Sequence, residues 1–380
     1  MKKRWILIIG GMLLTVADLC ACTSAIIGAS RNPYGRPLLW KHRDTSAIDN
    51  KVEFIPGAEG EYGYVALFNA TDSLCEQAWM GMNQYGFAIM NTASYNIKDD
   101  NVPEKEMDRE GYLMTIALKN CRSVDDFETL LIQLPKPLGV EANFGVIDAS
   151  GAGAFFETNN QNFVRYNLSD SPDDVLIRSN YSHSGRPKEG FGYIREANAV
   201  CLLAPFIDEK AVTPEVLTET VSRSFYHDLQ KRDYAQINGE RWVVDQDFIP
   251  RYKSTASIVI EGCRPVDNIY DVTPDFVKDQ YIMWTALGYP PCAEVIPVWC
   301  YEKGVDESLR GLMTDGHSEM SDIVKKRRDE VFPFHYGNGD KYIDMSRLIN
   351  DEGTGYLQTL PELNRQIYHK VAILRDGKKN

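Results

Sequence analysis

Residues 24–92 read as a run of short apolar strands broken by turns, and this run constrains the fold more than any other feature. Residues 24–28 are strand-like, Asn32-Pro33-Tyr34-Gly35 is a turn, and residues 37–44 return as a second strand ending in Lys41-His42-Arg43-Asp44. The hairpin would carry Lys41 and Asp44 back beside Cys22. Residues 64–69, 75–80 and 87–92 are further strands, the last entered through Gly81-Met82-Asn83-Gln84-Tyr85-Gly86. Two helices follow, over 106–120 and 123–134, the second with Ser123 and Asp126 spaced as a capping box and Pro135 as a stop. Residues 143–148 and 154–158 form a hairpin across Ala149-Ser150-Gly151. Strand 175–179 runs into Asn180. Helices are expected over 191–203 and, from a capping Thr213 with Pro214 in the first turn, to about residue 229. Residues 254–261 and 281–284 return to strand, and helices at 307–328 and 361–373 close the chain.

The order is strands, two helices, strands, two helices, strands. That succession fits an α+β domain of two stacked antiparallel sheets with helical layers outside better than a doubly wound parallel sheet. No GxGxxG or GxxxxGK[ST] phosphate loop, internal repeat or flexible linker interrupts it. The expected division is a leader over 1–21 and one domain over 22–380, with 301–380 as its helical C-terminal extension.

The leader rests on Lys2, Lys3 and Arg4 followed by an apolar run of 13 residues, 5–17. That run is short for a membrane span and suits a signal peptide, and no later stretch approaches the length of a transmembrane helix. Export to a periplasmic or extracellular location follows. Leu19-Cys20-Ala21 then places a small residue before Cys22. Cleavage after Ala21 would give Cys22 both a thiol and an α-amino group, whose ordinary pKa of about 7.7–8.0 makes it a base poised near neutrality. The same four residues also read as a lipobox, in which Cys22 would be lipidated and anchored. The two fates exclude each other, since lipidation blocks sulfur and nitrogen alike.

Composition narrows the partners. The net charge is −13, and removal of a leader carrying +2 leaves about −15. A surface so acidic repels phosphates and argues against nucleic acid. Cys22, Cys75, Cys121, Cys201, Cys263, Cys292 and Cys300 remain after cleavage, an odd number without CxxC spacing. Cys22 is the natural one left over, and the others read as buried apolar cysteines or as disulfide partners. The six histidines form no metal-binding spacing. His42 and His183 could each be the base of a papain-like Cys–His pair, but the terminal amine already supplies one. No metal or organic cofactor is called for.

Taken together, Cys22-Thr23-Ser24, Lys41-His42-Arg43-Asp44, the segment from Gly81 to Asn91, Arg178-Ser179-Asn180-Tyr181 and Gly192-Tyr193-Ile194-Arg195 resemble the N-terminal-nucleophile (Ntn) hydrolases. Within them the chain is similar to the linear-amide C–N hydrolases: choloylglycine (bile salt) hydrolases, penicillin V acylases and the acyl-CoA:6-aminopenicillanate acyltransferases. Met283-Trp284-Thr285-Ala286-Leu287-Gly288-Tyr289-Pro290 looks closer to the acyltransferase branch.

The resemblance implies a four-layer αββα sandwich and a small-molecule N-acyl amide substrate. It makes Cys22 the nucleophile and its α-amino group the base, with Asp44 orienting that amine. Asn91 and Asn180 would lie near the oxyanion, and Arg195 would support the nucleophile's surroundings. Lys41 stands where bile salt hydrolases carry an arginine, and a lysine cannot make the planar forked contact. Either Lys41 or Arg43 could be the functional cation, Lys41 being favoured by position. Hydrolysis, acyl transfer and a dipeptidase-like activity would use the same residues. The alternative class is a surface lipoprotein that binds without catalysis. Residues 301–380 would cap the pocket or mediate assembly, a homo-oligomer included.

Overall fold

The computed structural model describes residues 21–377; of the expected leader only Ala21 falls within it. In chain order the strands are β1 (Thr23–Ile27), β2 (Leu38–Asp44), β3 (Asn50–Ile55), β4 (Tyr64–Asn69), β5 (Met80–Asn83), β6 (Ala88–Ala93), β7 (Ala142–Ile147), β8 (Gly153–Thr158), β9 (Phe163–Asn167), β10 (Val175–Arg178), β11 (Tyr226–His227), β12 (Arg232–Asp233), β13 (Trp242–Val244), β14 (Ser254–Glu261), β15 (Ile282–Leu287), β16 (Val295–Val298) and β17 (Tyr342–Asp344). The α-helices are α1 (Glu110–Asn120), α2 (Val124–Gln133), α3 (Tyr193–Asp208), α4 (Pro274–Gln280), α5 (Glu319–Val331), α6 (Met345–Leu348) and α7 (Tyr356–Gly377).

Two antiparallel sheets dominate. One has six strands in the order β10-β1-β2-β14-β15-β16, and the other is a seven-stranded meander from β3 to β9. Strand alternation gives each sheet an inner and an outer face. In β1 and β2 the pairs Ser24↔Lys41 and Ile26↔Leu39 share one face, and Thr23↔His42 and Ala25↔Trp40 the other. The first face is the inner one. Ile26 packs on Gly153 of β8, where an added Cβ would meet its methyl at 3.0 Å, and Arg43 reaches Asn50 and Asn69 of the opposite sheet.

Helices cover both outer faces. Phe127 of α2 sits edge-on to Phe144 and Phe156, with ring centroids 5.8 and 5.1 Å away. On the other side Trp40 donates its indole N–H to Ser222 and Ser257, and Trp284 packs on Tyr368 of α7 at 4.5 Å. The result is the four-layer αββα sandwich that the resemblance implies. Among the described residues no helix is long and apolar enough to cross a membrane.

Several boundaries differ from expectation. The capping box is present, Ser123 Oγ accepting from the Asp126 N–H and the Asp126 side chain from the Ser123 N–H. The helix expected from Thr213 to about residue 229 is instead a short π-helical turn, Val216–Val221, followed by β11. Thr218 Oγ1 bonds back to the Pro214 carbonyl and Ser222 Oγ to that of Leu217, and such local bonds compete with a regular helix. Residues 50–55, which lie between the expected strands 37–44 and 64–69, form β3 on the edge of the meander. The expected helix over 307–328 is a short 3-10 turn at Glu307–Leu309 and becomes α-helical only from Glu319, where Ser318 caps α5. The C-terminal segment is built into the sandwich: Asn364 accepts from the Val295 N–H, and Arg375 pairs with Glu261. Cys121, Cys263, Cys292 and Cys300 are buried, and the seven described cysteines form no disulfide with one another.

Candidate active site

Cys22 stands one residue before β1, only 5% exposed. Continuing the alternation of β1 puts its side chain on the inner face, with Ser24, Lys41 and Arg43. Its main chain is held at both ends. The Cys22 nitrogen donates to Asn180 Oδ1 at 2.6 Å, and its carbonyl accepts from Arg195 Nη1 at 2.6 Å. Arg195 Nη1 also reaches Thr23 Oγ1 at 3.0 Å, and Nη2 reaches Asn180 Oδ1 at 2.8 Å. Cys22, Asn180 and Arg195 are therefore one hydrogen-bonded unit. Asn180 Nδ2 donates to the Ala93 carbonyl at 2.9 Å, tying the unit to the end of β6.

Arg195 arrives from the first turn of α3, which begins after Gly192 in a left-handed conformation, φ 87°. A Cβ on Gly192 would lie 2.4 Å from Arg195 Nη2 and 2.9 Å from Ser179 Oγ, so glycine is required for both conformation and space. Arg195 is 1% exposed. Burial lowers its pKa to about 10, and Arg251 adds to the lowering, while Asp44 and Cys22 work against it.

The second unit bridges the sheets. Lys41 Nζ donates to Asn91 Oδ1 at 2.6 Å and to the Trp79 carbonyl at 2.7 Å. Arg43 instead spends its fork on Asn50 Oδ1 (2.5 Å) and Asn69 Oδ1 (2.8 Å) and lies over the Trp79 ring. Of the two candidate cations, Lys41 is the one joined to Asn91.

The third unit lies on the outer face of β2. Asp44 Oδ2 accepts from Arg251 Nε (3.1 Å) and Nη2 (2.9 Å), and Oδ1 accepts from Ser254 Oγ (2.6 Å). Its main-chain carbonyl accepts from the Ala21 N–H at 3.2 Å. The Asp44 carboxylate is thus shared between Arg251 and Ser254, while the Cys22 nitrogen goes to Asn180.

His42 belongs to this outer group and shares its face with Thr23, away from the Cys22 side chain. Ser254 gives its only O–H to Asp44, so the 2.8 Å contact to His42 is donated by Nε2–H. His42 Nδ1 is buried with no hydrogen-bond partner, which suits a neutral ring. Burial lowers the His42 pKa to about 4 against the pull of Asp44. His183 is engaged elsewhere, its Nε2 lying 2.9 Å from Glu196 Oε1. Neither histidine is set as a base for Cys22.

The low His42 value has a measurable consequence. Between pH 6.5 and 4 the unfolded chain binds the proton first, so the contribution of neutral His42 is intact above that window and is lost as pH falls through it. At full extent this is about 3 kcal/mol. Burial raises Glu110 to about 7 and Asp245 to about 6. Their contributions have the opposite sense and are lost as pH rises through those values. The His42 part is isolated by comparing wild type with His42→Gln in denaturant unfolding from pH 7 to pH 4. Wild type should lose about 3 kcal/mol relative to the variant; a difference that does not vary with pH would refute the assignment.

The sequence motifs do not contain Arg251, Ser254 or the Trp79 carbonyl. Arg251 lies outside the expected strands and helices, Ser254 opens the expected strand 254–261 with nothing to mark it as a partner of Asp44, and a main-chain carbonyl leaves no residue signature.

No protein-family model and no curated protein sequence matches the chain. Among solved structures it is similar to a variant of conjugated bile acid hydrolase from Clostridium perfringens, at 11% identity and TM-score 0.41 over 73% of this chain and 92% of that one. It is also similar to a Caenorhabditis elegans ortholog of N-acylethanolamine-hydrolyzing acid amidase, at 13% identity and TM-score 0.40 over 67% of this chain and 97% of that one. A third similar structure is penicillin V acylase from Agrobacterium tumefaciens, at 15% identity and TM-score 0.41 over 73% and 86%.

Proposed function

We propose that this chain is an exported hydrolase of linear, non-peptide amide bonds whose nucleophile is Cys22. The observation that carries the reading is the grip on the Cys22 main chain: Asn180 on its nitrogen, Arg195 on its carbonyl, at the head of an inner-face strand beside Lys41. A merely structural cysteine needs its side chain packed. It does not need two buried polar groups from distant segments aimed at its backbone.

In a chain beginning at Cys22 the nitrogen held by Asn180 becomes an α-amine. That amine takes the thiol proton, and the thiolate attacks the amide carbonyl carbon. Lys41 and Arg195 add positive charge, which favours the thiolate. The C–N bond of the tetrahedral intermediate then breaks, the leaving amine takes the proton back, and a thioester remains on Cys22. Water resolves the thioester, releasing the acid and restoring the thiol. Asn91, whose Oδ1 accepts from Lys41, and Asn180 would supply donors to the oxyanion; one such donor is worth about 10²–10³ in rate. Burial of Cys22 supports this reading over lipidation, since a diacylglyceryl group would have to leave from a residue 5% exposed.

The test is the exported protein itself. Intact mass and N-terminal sequencing should show a chain starting at unmodified Cys22. That protein should release amine from at least one of the bile-acid conjugates, penicillin V or N-acyl amino acids. A lipid on Cys22, or a chain starting elsewhere, would overturn the proposal.

A further inference from the structure

The grip on Cys22 depends on Asn180, so what holds Asn180 matters equally. After β10 ends at Arg178 the chain runs through Ser179-Asn180-Tyr181-Ser182-His183 without a strand partner beyond one bridge from Asn180 to Phe191. Alternation still operates there. Asn180 and Ser182 turn toward the seven-stranded sheet, where Asn180 Nδ2 meets Ala93 and Ser182 Oγ meets Asn143 Oδ1. Ser179, Tyr181 and His183 turn toward α3, and all three end on one carboxylate. Glu196 Oε2 accepts from the Ser179 N–H (3.1 Å) and Oγ (3.4 Å), and Oε1 accepts from Tyr181 Oη (2.7 Å) and lies 2.9 Å from His183 Nε2. Glu196 is 8% exposed. It is also the next residue after Arg195, so one turn of α3 delivers both the cation on the Cys22 carbonyl and the anion that gathers the residues flanking Asn180.

We propose that Glu196 is a positioning residue that sets Asn180 against the nitrogen of Cys22. It touches neither substrate nor nucleophile. It collects the donors of Ser179, Tyr181 and His183 on one side of the segment, and the Asn180 side chain is thereby presented on the other. The orientation of the Cys22 amine, and with it the transfer of the thiol proton, follows from that register. The inference rests on the reading of Cys22 as nucleophile and adds a residue that the sequence motifs do not contain.

The test uses mature chains carrying Glu196→Gln or Glu196→Ala. Glu196 borders a surface cavity of about 530 Å³, so shortening it leaves no dry void in the core. With a hydrolysable amide, kcat should fall, by about 10²-fold for the alanine variant, while KM stays close to wild type. In parallel, alkylation of Cys22 by iodoacetamide, followed by mass spectrometry of the Cys22 peptide, should slow because it draws on the same amine. This second readout needs no amide substrate. It therefore tests the positioning role even if wild type hydrolyses nothing in the panel, a result that would count against the proposed function instead. Should the alanine variant fail to fold, Glu196→Gln and Tyr181→Phe carry the test. A folded variant with a lowered melting temperature but wild-type kcat and wild-type Cys22 alkylation would overturn the proposal, because Glu196 would then serve stability alone.

Discussion

Replacing Cys22 with alanine is expected to abolish amide turnover and leave the fold intact. The sulfur is the only atom the proposed route uses to form the thioester, and loss of a covalent nucleophile costs on the order of 10⁶ in rate. The stability effect should be small. Two bonds that seat residue 22, from its main-chain nitrogen to Asn180 and from Arg195 to its carbonyl, run through the main chain and persist in the alanine variant. Two measurements check this. Amine release from the best substrate should fall to background, and the acylated mass trapped during wild-type turnover should be absent from the variant. Thermal unfolding of Cys22→Ala should stay near wild type. Retained turnover would sink the nucleophile assignment; a collapsed fold would show that the thiol holds the inner face together.

Much of the architecture was legible because it follows from periodicity and punctuation. Asn32-Pro33-Tyr34-Gly35 folds the first hairpin back, and the register then places Lys41 opposite Ser24, beside Cys22. The Ser123–Asp126 box starts α2 where its spacing says it should. What escaped has physical causes. The stretch after Thr213 carries a helix-start signal, but Thr218 and Ser222 bond back to the preceding turn and the chain leaves the helix. β3 pairs only with β4, and an edge strand of mixed residues lacks a strong apolar alternation.

The site was legible in a similar, partial way. The motifs named Cys22, Lys41, Asp44, Asn91, Asn180 and Arg195, and the structure gathers them into three hydrogen-bonded units. The partners that set their geometry could not be named. Arg251 lies 207 residues from Asp44 and meets it through an irregular loop. Glu196 adjoins a motif residue yet acts through three neighbours on another segment. Such contacts depend on how the elements pack, and no local spacing encodes them.

Arg195→Met should have the largest effect on stability and a large one on rate. The guanidinium serves three acceptors: the Cys22 carbonyl, Thr23 Oγ1 and Asn180 Oδ1. Methionine fills much of the volume but donates nothing, so the Cys22 carbonyl loses its buried donor and Asn180 Oδ1 keeps only the Cys22 nitrogen. Removal of the charge also relieves its own burial and its repulsion from Arg251, which together hold its pKa near 10. That relief is partial. Breaking a buried charged network typically costs about 3–5 kcal/mol, and a loss near the lower end is expected here. The rate of the folded variant should also fall, by about 10², because the main chain that aims the amine and thiol is held at one end only. Arg195→Lys should not restore it, since an ammonium cannot fork across acceptors fixed by a planar guanidinium. Denaturant unfolding measures the first effect. Turnover normalised to Cys22 alkylated at saturation measures the second. A methionine variant as stable and as fast as wild type would mean that the hold of Arg195 on the Cys22 carbonyl is dispensable.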